Sequence, residues 1–213
     1  VIVRVKICGI RTVDEARHAA SVGADAIGFN FHPRSPRYVA PRDAEAIVAA
    51  LPPFVAAVGV FVDANGDWVR RVADRCRLAA LQFHGIAPPG GFGRPVIRAL
   101  QVRGPDSLGA IERLVADGSP CDLLLLDGYA EGLAGGTGRG FDWRLAAEAR
   151  RLAGGRPIVL AGGLTPETVT EAIRLARPDA VDVASGVESA PGVKDPDKVA
   201  RFVRAAKGAL CHA

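Results

Sequence analysis

The chain has 213 residues, 49% hydrophobic and 23% charged, with a formal net charge of +4. That length suits one domain with a sizeable core, and that balance excludes a disordered chain. The Arg and Lys residues are scattered rather than clustered on one stretch, which argues against a nucleic-acid surface, and no run of about 18 apolar residues is available to cross a membrane.

The first apolar run, VRVKIC (3–8), predicts a strand, and Thr12 with Glu15 forms a capping box that opens a helix over 13–22. DAIGFNF (25–31) follows as a second strand, and Pro41, suited to a first helical position, starts a helix over 41–51. AAVGVFV (56–62) and LAALQFH (78–84) are strands three and four, with a helix over 66–76 between them. The segment 85–94, GIAPPGGFGR, holds two Pro and four Gly, so a loop or single turn is expected there rather than a helix. PVIRALQ (95–101), a helix over 106–117 and DLLLLD (122–127) come next. Asp142 is the predicted N-cap of a helix over 142–153; Thr165, followed by Pro166, is that of a helix over 166–176. PIVLAG (157–162) and AVDVAS (180–185) are strands seven and eight, and Asp195-Pro196 opens the last helix, 196–207.

These strands are apolar on both faces, as strands covered on both sides must be, and they alternate with helices. Eight such units predict an α/β fold: a (β/α)8 TIM barrel forming one domain over residues 1–213, with right-handed crossovers. A doubly wound open sheet is the alternative, but it usually has fewer strands. The opening VIVRVKICGI lacks the pattern of a secretory leader, so a cytoplasmic location is expected. The cysteines, Cys8, Cys76, Cys121 and Cys211, share no CxxC spacing, which makes a zinc or thioredoxin-like site a weak reading.

A barrel of this type carries its site at the C-terminal ends of the strands. Strand seven ends in Gly162-Gly163 and strand eight in Ser185-Gly186, the two loops that often form a phosphate site; an anion gains from backbone N–H groups brought close by glycine. A lone Cys on a strand is usually an inert small hydrophobe. Cys8, however, lies at the strand mouth, and Lys6, two residues earlier on the same side, is expected to lower its pKa toward the thiolate. Asp127 ends LLLLD, where burial should raise its pKa and suit it to general acid work; the plainer reading is a turn cap. With strands one and six three steps apart on a ring of eight, Cys8 and Asp127 should face each other across the mouth. Arg37 offers a bidentate grip on a carboxylate, against the plainer reading of surface charge. His84 ends strand four; a histidine so placed is more often a hydrogen-bonded structural residue than a catalyst. The Gly-rich stretch 132–143 contains neither GxGxxG nor a P-loop and is expected to be a mobile cover over the site.

The segments VKICGI, GADAIGFNF followed by SPRYV, VGVFVD, LQFHG, LLLDG, GGTGRGFDW, LAGGLTPETV and VDVASGVESAPGVKD make the chain resemble the phosphoribosylanthranilate isomerase family from end to end. The resemblance implies an Amadori rearrangement of N-(5-phosphoribosyl)anthranilate in tryptophan biosynthesis, with no metal and no organic cofactor. It implies Asp127 as general acid and Cys8 as general base, with Arg37 on the anthranilate carboxylate. Gly162, Gly163, Ser185 and Gly186 then hold the phosphate, and His84 is counted with the substrate-binding residues. The expected partner is a small phosphorylated substrate, with the enzyme a monomer or homodimer. The related isomerase of histidine biosynthesis uses two Asp where this chain has Cys8, indole-glycerol-phosphate synthase relies on Lys and Glu at strand ends, and a metal-dependent epimerase needs several His and Asp ligands. A non-catalytic sugar-phosphate binder would keep the glycine loops without needing both Cys8 and Asp127.

Overall fold

The computed structural model describes residues 3–118, 120–128 and 142–209. Its sheet is a closed ring of eight parallel strands in chain order: β1 (Arg4–Cys8), β2 (Ala26–Asn30), β3 (Ala56–Val62), β4 (Ala80–His84), β5 (Val96–Val102), β6 (Leu123–Gly128), β7 (Ile158–Ala161) and β8 (Ala180–Val183). Closure is made by β8 against β1, where Lys6 stands opposite Asp182. On its other edge, β1 sets Cys8 opposite Gly28 of β2. Most of the expected cover, 132–141, lies outside the described residues.

Seven α-helices pack around the ring among the described residues: α1 (Val13–Ser21), α2 (Pro41–Ala49), α3 (Gly66–Arg75), α4 (Gly109–Ala116), α5 (Leu145–Leu152), α6 (Val169–Ala176) and α7 (Pro196–Gly208). The capping box of α1 forms in both directions: the Glu15 amide donates to Thr12 Oγ1 at 3.2 Å, and the Thr12 amide to Glu15 Oε2 at 3.3 Å. Asp195 caps α7 through the Lys198 amide. Three starts fall later than the sequence predicts. Asp142 Oδ1 accepts from the Arg144 amide, and Thr165 Oγ1 from the Glu167 amide, so each residue opens a turn that precedes its helix. A 3₁₀ turn, Pro105–Leu108, likewise leads into α4.

No helix joins β4 to β5, as the Gly/Pro content of 85–94 requires. Phe92 takes over the covering task. Its ring lies 5.4 Å from that of Phe83 on the outer face of β4 and continues a row through Phe61 and Phe31. Arg94 pins the segment by donating to the Leu78 carbonyl at 2.9 Å and to Asp74 at 2.7 Å.

Alternation along each strand sorts two cores. Outward residues such as Ile7, Phe29, Phe61, Phe83, Leu126 and Leu160 pack beneath the helices. Burying each such side chain is worth about 1.5–3 kcal/mol. Inward, Val58, Ile97, Leu125, Val159 and Ala161 fill the lumen. Above this apolar plug the inward residues turn polar, and the site begins there.

Candidate active site

Lys6, Gln82 and Asp182 form a buried polar floor across the barrel; they are 5%, 1% and 7% exposed. The Lys6 ammonium donates to Asp182 Oδ1 at 2.8 Å and to Gln82 Oε1 at 3.0 Å. Gln82 Nε2 in turn lies 2.9 Å from His84 Nε2. Burial on its own would lower the Lys6 pKa, but attraction to Asp182 and Cys8 holds it above the ordinary lysine value. An ammonium so placed stays charged and acts as a fixed cation under the mouth.

Cys8 stands above Lys6 at the end of β1 and is buried. Gly28 makes its room: a Cβ built there would sit 2.8 Å from Cys8 Sγ and 3.0 Å from Cys8 Cα. The expectation that the Cys8 thiol lies below the ordinary value is corrected in sign. Burial pushes the Cys8 thiol up, and the Lys6 and Lys194 ammonium groups oppose this without overcoming it, partly because Asp182 adds its own negative charge. Lys6 acts in the expected direction; desolvation is the larger effect.

Asp127 closes β6, half-buried, three strands from Cys8 around the ring. Burial, reinforced by Asp182 and opposed by Lys6, pushes its carboxyl up from 3.8 to about 6. Cys8 and Asp127 therefore share the electrostatic influence of the same Lys6–Asp182 floor. His84 is half-buried at the end of β4, and burial together with Lys6 holds its pKa below the ordinary value.

Arg37, in the loop after β2, is already engaged. Its Nε and Nη2 donate to Glu188 Oε1 and Oε2 at 2.7 and 2.8 Å. Lys194 Nζ donates to the same carboxylate at 2.8 Å and to the Ala184 carbonyl at 3.0 Å. Glu188 opens the short β9 strand (Glu188–Ala190), which pairs antiparallel with β10 (Val193–Lys194). Despite burial, the bonds from Arg37 and Lys194 hold its carboxyl below the ordinary glutamate value. A guanidinium has two bidentate edges. Glu188 occupies the Nε/Nη2 edge and leaves the Nη1/Nη2 edge free among the described residues.

The loops after β7 and β8 meet each other. A Cβ at Gly186 would fall 1.9 Å from the Leu164 carbonyl oxygen, so only glycine lets these backbones approach. Gly162 and Gly163 both have positive φ, 80° and 69°. Ser185 begins a 3₁₀ turn, Ser185–Val187, the short extra helix that accompanies phosphate loops in barrels of this kind.

The structure thus gathers Cys8, His84 and Asp127 over one floor, with Arg37 and the paired glycine loops on its rim. Sequence reading passed over Gln82, Asp182, Glu188 and Lys194. For Gln82 and Asp182 a signal was present: each is a polar residue at an inward position with a buried apolar residue on either side. Among the described residues no cluster of three His, Cys, Asp or Glu has the arrangement of a metal site.

A closed (β/α)8 ring with a raised carboxyl and a thiol above a shared charged floor defines a barrel enzyme of the acid–base type. The family described as N-(5'-phosphoribosyl)anthranilate (PRA) isomerase matches residues 5–205. N-(5'-phosphoribosyl)anthranilate isomerase of Myxococcus xanthus is 49% identical over 209 residues, 96% of either chain. Phosphoribosyl anthranilate isomerase from Thermotoga maritima superposes with a TM-score of 0.86 at 40% identity, covering 97% of this chain and 100% of its own. A phosphoribosyl anthranilate isomerase in complex with reduced 1-(o-carboxyphenylamino)-1-deoxyribulose 5-phosphate superposes at 0.83 and 39% identity, with the same coverage. The chain belongs to the N-(5'-phosphoribosyl)anthranilate isomerase family.

Proposed function

We infer that this chain converts N-(5'-phosphoribosyl)anthranilate to 1-(2-carboxyphenylamino)-1-deoxyribulose 5-phosphate, an aldose-to-ketose step of tryptophan biosynthesis, as a single-domain enzyme over residues 1–213. The observation that carries the residue assignment is the pairing of a carboxyl raised to about 6 with a thiol over the same buried cation. Asp127, protonated more readily than an exposed carboxyl, gives its proton to the furanose ring oxygen, and the sugar opens to an iminium. The iminium acidifies the C2 proton and brings a positive charge beside Cys8. That charge adds to those of Lys6 and Lys194 and favours the thiolate that removes the proton. The resulting enolamine tautomerises to the ketone.

The rest of the mouth holds the substrate. Arg37, oriented by Glu188, offers its remaining edge to the anthranilate carboxylate. Gly162, Gly163, Ser185 and Gly186 receive the phosphate, supplying binding energy away from the reacting carbons. His84 contacts the substrate between these anchors. No metal or organic cofactor enters these steps. No described helix is long and apolar enough to cross a membrane, and we place the enzyme in the cytoplasm as a monomer or homodimer. The test is turnover of freshly made substrate, followed by loss of its fluorescence, in the wild type, Cys8→Ser and Asp127→Asn. Robust wild-type turnover with both folded variants down by orders of magnitude supports the assignment; an inactive wild type overturns it.

A further inference from the structure

The floor of the site contains a hydrogen-bond chain whose directions are fixed at one end. The Lys6 ammonium can only donate, and it faces Asp182 Oδ1 and Gln82 Oε1. Turning the Gln82 amide over would set its NH₂ group against the ammonium with both groups buried, so the oxygen faces Lys6. The NH₂ group then faces His84, and it too can only donate. His84 Nε2, 2.9 Å away, must accept. A ring nitrogen that accepts carries no proton, so the single proton of the neutral ring sits on Nδ1. An imidazolium would aim N–H at N–H and break the chain.

We propose that Lys6 and Gln82 are positioning residues that lock His84 as the neutral Nδ1–H tautomer and present Nδ1–H at the barrel mouth as an uncharged donor to a substrate oxygen. The proposal deepens the reading of the mouth as the isomerase site and rests on it. Three observations agree. His84 Nδ1 has no hydrogen-bond partner among the described residues. The ring is half-buried at the end of β4, beside the mouth rather than in the apolar core. The charged groups that act on it are Lys6 from β1 and Asp182 from β8, and these neutralise each other through their own 2.8 Å bond. The lock also has a consequence for Asp127: an imidazolium would add a further cation to the mouth and favour the charged carboxylate, spoiling the acid.

The test is nitrogen NMR of the histidine rings in the ligand-free, full-length protein, with His84 assigned by its loss in His84→Asn. In the wild type near neutral pH, His84 should show a protonated Nδ1 and an unprotonated Nε2. In Gln82→Glu, the side chain that accepts from Lys6 can no longer donate to the ring, so the proton should move to Nε2 or the ring should become charged. Gln82→Leu removes the donor without adding charge and should yield a mixture of tautomers. Turnover in Gln82→Glu should fall roughly tenfold or more in kcat/KM, as for the loss of one hydrogen bond to the substrate. A wild-type ring carrying its proton on Nε2, or charged near neutral pH, overturns the proposal. So does an unchanged Nδ1–H tautomer in both Gln82 variants. Because the spectra need no substrate, failure of the lock is distinguishable from failure of the isomerase assignment, which shows as wild-type inactivity.

Discussion

Asp127→Asn tests the electrostatics of the site through stability as well as rate. The Asp127 carboxyl lies at about 6 in the folded protein against an ordinary 3.8. At about 1.4 kcal/mol for each pH unit, that difference makes its charged form about 3 kcal/mol costlier in the fold than in the unfolded chain. Below 3.8 the carboxyl is neutral in both states and costs nothing. Between 3.8 and about 6 the unfolded chain has released the proton and the folded chain keeps it, so stability falls as pH rises. Above about 6 the whole penalty is present. Asparagine does not titrate, so Asp127→Asn should gain stability relative to the wild type by about 2–2.5 kcal/mol on going from pH 4 to pH 7, on top of any constant offset. Urea unfolding at several pH values, followed by tryptophan fluorescence, reads this directly. A difference between variant and wild type that stays constant from pH 4 to pH 7 would refute the reasoning. Asp127 must be protonated while Cys8, whose thiol is also raised, must be deprotonated; the two groups together then hold one proton, so wild-type kcat/KM should rise up to about 6 and level off above it.

Three further outcomes are expected. Lys6→Met leaves Asp182 buried without its cation, which should cost about 3–5 kcal/mol in stability; the Cys8 alkylation curve should also move to higher pH, and an unmoved curve would count against Lys6 as the counter-charge. Arg37→Lys cannot span both Glu188 oxygens while offering a second edge, so KM should rise roughly tenfold or more with a smaller change in kcat; an equal loss confined to kcat would remove Arg37 from substrate binding. In Gly186→Ala the new Cβ meets the Leu164 carbonyl oxygen at 1.9 Å, so the two loops must part. Inhibition by inorganic phosphate should then weaken roughly tenfold or more, and unchanged inhibition would place the phosphate elsewhere.

Much of this was open to reading along the chain. Eight apolar runs separated by helical patterns impose a parallel closed sheet, because strands apolar on both faces must be covered on both sides. The content of 85–94 forbids a helix, and 85–94 has none. Position at a strand end was enough to single out Cys8 and Asp127, since in this architecture the inward residues just past the packed lumen are the ones that meet a ligand. The raised Asp127 pKa followed from its apolar strand alone.

Other features exist only once the ring has closed. Lys6 and Asp182 are 176 residues apart, and Arg37 and Glu188 are 151 apart, yet each pair bonds at 2.7–2.8 Å. Local pattern carries no information about such pairings. The sign of the Cys8 shift turned on the same point: the sequence shows Lys6 beside Cys8, but the fold also brings up Asp182 and removes water, and desolvation then outweighs one partly neutralised cation. The tautomer of His84 depends on which end of Gln82 faces an ammonium on another strand. Sequence determined the barrel, its one missing helix and the residues at its mouth, because these follow from local periodicity and turn chemistry. Tertiary structure decided the charge of Cys8, the ion pairs and the hydrogen-bond directions, because those are set by partners distant along the chain and by the water the closed ring excludes.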